Sequence, residues 1–174
     1  MSIPPDDFQP AVTPDEMRAW AAIFETSNIV QYAADRQLRD AVGLTLAQFE
    51  ILARIGEGVE GGRRMTDIAD DLTVSRSGLT YQVDQLERKG LVARRPAGDD
   101  ERSVVAHLTP RGAECLAAGN PGYVRLVREM LFDRISQADL LAVTDILDSV
   151  RTQLKSQPKR STLRRPRRQA GPAT

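Results

Sequence analysis

The stretch Ser75-Arg76-Ser77-Gly78-Leu79-Thr80-Tyr81-Gln82-Val83-Asp84-Gln85-Leu86-Glu87-Arg88-Lys89-Gly90-Leu91-Val92 decides how this chain is read. Ser75 is a strong helix N-cap, because its hydroxyl can accept from a free backbone N–H of the first turn. Gly90 is the natural left-handed stop, and Leu91 is the apolar residue expected after such a cap. Between them Leu79, Val83 and Leu86 recur at i, i+4 and i+7 and line one narrow side of a helix. The opposite side carries Ser77, Tyr81, Asp84, Gln85 and Arg88, with Gly78 near it. This face has small residues where the helix starts and hydrogen-bonding groups along its length. A DNA major groove about 12 Å wide admits such a helix. A plainly solvated polar face is the alternative reading of the same residues.

Upstream, Thr66 reads as the cap of a short helix, Asp67 to Leu72, that buries Ile68, Ala69 and Leu72, and Thr73-Val74 as a turn. Downstream, the β-rich runs Leu91 to Arg95 and Ser103 to Leu108 flank Pro96-Ala97-Gly98-Asp99-Asp100, a turn-forming cluster, and so predict a hairpin. A short helix, a tight turn, a longer helix and a hairpin make a winged helix-turn-helix. Arg94 and Arg95 point to opposite sides of their strand. Asp84 is unexpected beside DNA. It can accept from a cytosine, or it can hold a wing arginine in place.

Further out, Thr13-Pro14-Asp15-Glu16 is a capping box opening a long helix to about Ala41, which Gly43 ends. Its apolar positions include Met17, Trp20, Ile23, Phe24, Ile29, Tyr32 and Leu38. Thr45-Leu46-Ala47-Gln48 repeats the pattern and starts a helix with Leu46, Phe49, Leu52 and Ile55 on one drifting stripe. Gly56, Gly58, Gly61 and Gly62 break the chain before Arg63. Thr109-Pro110 opens a fifth helix, and Ser136 with Asp139 a sixth that carries Leu140, Val143, Ile146, Leu147, Val150 and Leu154. The fold class is mainly α with a small β-hairpin wing.

The 174 residues suit one domain, and 41% apolar residues suffice for a core that Leu, Ile, Val and Ala must fill, since aromatics are only 5%. No apolar run reaches the roughly 18 residues of a membrane span, and no export signal is evident, so no membrane partner and a cytoplasmic location are expected. Formal net charge is zero, yet residues 1–62 hold 4 basic and 10 acidic side chains, and the stretch from Pro158 holds 6 basic and none acidic. Net charge therefore neither supports nor excludes nucleic acid. Residues 1–12 read as a flexible arm and 156–174 as a basic, disordered tail too polar to repay ordering.

The residues resemble the MarR family of bacterial transcription regulators. The likeness is carried by Gly43 to Phe49, Ser75 to Thr80, Val83 to Val92, Asp100-Glu101-Arg102 and Leu108 to Gly112. It implies a regulator domain over 13–155, with dimerisation helices at about 13–42 and 110–155 and a DNA-binding region at about 45–109. It also implies a homodimer whose first and last helices interlock through Met17, Leu140, Val143, Leu147 and Leu154. Two reading heads about 34 Å apart imply a pseudo-palindromic operator in double-stranded DNA. DNA contact is expected from Ser75, Arg76, Ser77, Gly78, Thr80, Tyr81, Asp84, Gln85 and Arg88 of the recognition helix, and from Asp100 and Arg102 of the wing. Arg102 is the candidate for a narrow minor groove. A small aromatic or anionic effector is expected to release such a repressor, and Trp20, Phe24, Tyr32, Glu50 and Gln82 are candidates to line its crevice. A urate-sensing branch places an arginine where this chain has Gln82, which argues against urate.

The single cysteine, Cys115, excludes an intrachain disulfide and reads as a small buried hydrophobe, with a thiol redox switch as the alternative. His107, the only histidine, has too few companions for a zinc site. No catalytic constellation, metal or cofactor is expected, so the chain does not read as an enzyme. A winged-helix module that binds protein instead of DNA is the remaining alternative, suggested by Asp84 and the acidic wing.

Overall fold

The structure, a computed structural model, describes residues 12–97 and 100–156. It divides into two units, one ending at Leu131 and one starting at Phe132. In the first, α1 (Pro14–Val42), α2 (Leu46–Gly56), a 3-10 turn (Val59–Gly61), β1 (Gly62–Arg64), α3 (Met65–Asp71), α4 (Arg76–Arg88), β2 (Val92–Ala97), β3 (Asp100–Leu108) and α5 (Pro110–Met130) follow in order. The second holds a 3-10 turn (Phe132–Arg134) and α6 (Gln137–Ser156).

The caps lie where short-range chemistry places them. Thr13 and Thr45 each close a two-way capping box, with Glu16 and Gln48. The Ser75 hydroxyl accepts from the Gly78 N–H at 3.1 Å, and Thr109 from that of Gly112 at 3.0 Å. Ser136 accepts from the Asp139 N–H at 3.2 Å. Gly43 and Gly90 take left-handed φ values of 69° and 72°, which a side chain would resist.

The core sits under the winged half. Leu38 of α1, Leu44, Phe49, Leu52 and Ile55 of α2, Ile68 of α3, Leu79, Val83 and Leu86 of α4, and Leu91, Val92 and Ala106 of the hairpin form one cluster. Each fully buried Leu, Ile or Val contributes about 1.5–3 kcal/mol relative to exposure. The α1 helix packs along α5 through close approaches: a Cβ at Gly119 would stand 2.6 Å from the Phe49 ring, and one at Gly122 2.3 Å from the Gln37 amide nitrogen. Pro121 lies between these glycines, and the helix continues through it.

Two features differ from the sequence expectation. The glycine-rich break contains a strand: β1 pairs antiparallel with β3, Gly62 opposite His107 and Arg64 opposite Val105, giving a three-stranded sheet in the order β1-β3-β2. Gly62 is required because the His107 imidazole occupies the space of a Cβ. As a consequence Thr66 is not the cap of α3. The chain leaves β1 with Arg64 already extended in the N-cap position, the helix starts at Met65, and the Thr66 hydroxyl bonds the Asp67 carboxylate. The hairpin itself is as expected, with both strands running further toward the tip than the β-rich runs suggested. The expected arm to residue 11 and the tail from 157 lie outside the described residues.

Candidate nucleic-acid interface

The α4 helix presents one apolar stripe inward and one polar stripe outward. Leu79, Val83 and Leu86 are 1%, 0% and 0% exposed. Ser75, Arg76, Ser77, Gly78, Thr80, Tyr81 and Arg88 are exposed, whereas Asp84, Gln85 and Gln82 are half-buried. Tyr81 keeps 61% of its surface in solvent, a large amphipathic ring with nothing in the protomer to cover it. At the helix start Ser75 and Ser77 place their hydroxyls 3.3 Å apart, and Gly78 adds no bulk. The free N–H groups there form an opening that suits a phosphate. The Thr80 hydroxyl donates to the Arg76 carbonyl at 2.8 Å, which leaves its oxygen free to accept.

Asp84 takes the second of its two expected roles. Its carboxylate lies 2.7 Å from Nη2 of Arg94, on β2, and the same nitrogen lies 2.7 Å from Glu87. Glu87 also accepts from the Arg94 backbone N–H at 3.1 Å. One arginine thus ties the root of the wing to two turns of the recognition helix. Hydrogen bonding to Arg94 holds the Glu87 carboxyl below its ordinary value, and Glu87 in turn raises Arg94. The neighbouring Arg95 points the other way and is exposed. Asp100 and Arg102 lie at the start of β3, and their side chains are outside the described residues.

Two cross-links that the sequence did not announce hold α4 against the first two helices. Lys89 donates to the Gly43 carbonyl at 2.8 Å, and Gln48 donates to Gln82 at 3.3 Å. Asp35 of α1 accepts from the Leu46 N–H at 2.9 Å, so α2 is fastened to α1 at its first residue. The signal in each case is a polar residue at a helix end, which marks a bond without naming its partner.

The proposed effector residues are not assembled into one constellation. Trp20 and Phe24 stack on each other with ring centres 5.6 Å apart on the exposed face of α1, and Tyr32 is exposed further along. Gln82 is committed to Gln48. Glu50 is surface-accessible, but partial desolvation raises its carboxyl above the ordinary value, and its charge helps burial raise the Tyr123 phenol. Of the proposed dimer residues, Met17, Val143, Leu147 and Leu154 are exposed in the protomer and Leu140 is half-buried. Burial pushes the Cys115 thiol up despite Lys89 and Arg111 nearby, which opposes the thiolate that a redox sensor needs.

Among the described residues no helix is long and apolar enough to cross a membrane. The MarR family model matches residues 44–104, from the start of α2 to the wing. A MarR family transcriptional regulator of Streptomyces coelicolor, Sco3205, whose structure is in complex with DNA, is 30% identical with a TM-score of 0.81 over 88% of this chain and 95% of that one. AbsC, a MarR family regulator of the same organism, is 28% identical with a TM-score of 0.80 over 86% of this chain and all of that one. YkoM, an uncharacterised HTH-type transcriptional regulator of Bacillus subtilis, is 32% identical over 85 residues, and the chain spans about half of its length, 54%. With family residues at the reading helix and a regulator's fold along nearly the whole described chain, the protein belongs to the MarR family of transcriptional regulators.

Proposed function

We propose that the chain binds double-stranded DNA as a homodimer at a pseudo-palindromic operator and regulates transcription there, as a repressor that a small molecule releases. The observation that carries the DNA-reading part is the division of α4: a fully buried Leu79-Val83-Leu86 stripe backs an exposed face of Ser77, Tyr81 and Arg88. Binding energy would come chiefly from phosphate contacts and specificity from base edges under this helix. Arg76 and Arg88 supply charge along it, and Gln85 is placed to read an adenine. Asp84 supports this reading by its bond to Arg94, because a carboxylate so neutralised repels DNA far less.

The dimer is supported by unpartnered apolar faces. Trp20, Ile23 and Phe24 on α1 are each more than half exposed, and Val143, Ile146, Leu147, Val150 and Leu154 on α6 lie between 43% and 62%. Runs of this kind mark an association surface. Trp20, Phe24, Tyr32 and Glu50 remain candidates for an effector crevice completed by the dimer, and a cytoplasmic location fits the single cysteine.

The test is a gel shift with the DNA upstream of the protein's own reading frame. Tyr81→Ala and Arg102→Ala are each expected to weaken specific binding by about 1–3 kcal/mol, roughly tenfold or more. Unchanged affinity in both variants would remove the DNA-reading assignment.

A further inference from the structure

Three cations of different elements face one surface concavity of about 640 Å³. Arg88 and Lys89 come from the end of α4, and Arg111 from the first turn of α5. No carboxylate of the described residues lies within ion-pair range of any of the three; Glu114, which also lines the concavity, pairs with none of them. The folded chain elsewhere pairs its interior-facing arginines, as Arg94 does with two carboxylates and Arg63 with Asp71. Lys89 spends one proton on the Gly43 carbonyl, which fixes its ammonium in the wall and leaves two donors. The remaining wall includes Val42, Leu44 and Leu91.

An apolar wall under a convergent set of unpaired donors is the composition of a site for an amphipathic anion, and the volume lies within the usual range for small-molecule sites. We propose that this concavity binds a small aromatic carboxylate, with its ring against Val42, Leu44 and Leu91 and its carboxylate among Arg88, Lys89 and Arg111. The place differs from the crevice expected around Glu50, whose negative charge disfavours an anion. Occupancy neutralises Arg88, which lies on the exposed face of α4, so an acid bound here lowers affinity for operator phosphate. That last consequence rests on the DNA-reading assignment, whereas the site itself does not.

Cys115 lines the same concavity and is the only cysteine, so it reports occupancy without DNA. The full chain is alkylated with iodoacetamide in the presence of salicylate or of its neutral analogue salicylamide. Salicylate is expected to slow alkylation in a saturable way and salicylamide is not. Arg111→Gln is expected to raise the half-protecting salicylate concentration roughly tenfold, the loss of one charge-assisted contact, with Arg111→Lys restoring much of it. Glu50→Gln is expected to leave protection unchanged. Equal protection by the two compounds, no protection at all, or undiminished protection in a folded Arg111→Gln would overturn the site. Loss of operator binding with protection intact would overturn the DNA assignment alone.

Discussion

Arg94 shows how much can hang on one side chain. Its guanidinium serves Asp84 and Glu87 together, at 2.7 Å each, across the seam between wing and recognition helix. Both acids are part-exposed, so solvent screens the pair and the stabilisation is modest, about 1 kcal/mol. The larger effect is on position. Arg94→Met is expected to weaken operator binding more than it lowers stability, which parallel gel shifts and thermal melts will show. The pair also sets a pH dependence. Because Glu87 titrates below its ordinary 4.5 in the folded protein, its contribution is complete above that value and disappears as pH falls through the lower folded one. The stability difference between the parent and Arg94→Met should therefore shrink on acidification below about pH 4.5, in urea melts at a series of pH values. Asp84 was readable from sequence only as a choice between a base and a wing arginine. Distance alone decided between them, and distance across a hairpin is not written in local pattern.

A second residue-scale test concerns Thr73, a β-branched residue at φ +55° in the turn before α4. Such a conformation costs about 1–2 kcal/mol for residues other than glycine and the asparagine type. Thr73→Asn should raise the melting temperature by about 2–4 °C, a gain of about 1 kcal/mol in a domain of this size. A lower melting temperature would contradict the strain.

At the scale of elements, the α-helical starts were legible because caps are local. Thr13, Thr45, Ser75, Thr109 and Ser136 each bond within three residues of themselves, so the sequence window contains both partners. The exceptions share one cause. The β1 strand is three residues long, shows no apolar alternation, and exists only through its pairing with β3, far along the chain. Thr66 misled for the same reason, since the strand before it supplies the extended N-cap residue. The glycines of α5 were equally silent until Phe49 and Gln37 were seen against them. Gly119→Leu is expected to destabilise the fold by about 1–3 kcal/mol through overpacking against the buried Phe49, read as a lower urea midpoint. Phe49→Leu in the same chain should recover part of the loss. Additive losses would show that the two positions do not meet.

For the whole molecule, the apolar surfaces left open in the protomer are the main thing that a single chain does not explain. Leu147→Asp is expected to yield a protomer that sediments at half the parent mass and binds operator poorly, because each half-site alone forfeits its neighbour's contribution. Parent-like sedimentation would exclude α6 from the interface. The site's chemistry was legible at this scale from the order of helices and hairpin. The wing tip's contribution was not, because Asp100 and Arg102 act through side chains that only a bound duplex would orient.

The bond from Lys89 to the Gly43 carbonyl has a mechanical meaning. At 1.5 Å per residue the 29 residues of α1 make a rod about 43 Å long, and this bond pins its far end to the foot of α4. Tilting such a rod by three degrees about its start sweeps the pinned end through about 2 Å, comparable with the reach of a hydrogen bond. Small hinge motions where two protomers join would therefore be geared up, like a crank turning a key, into loss of register at the bases.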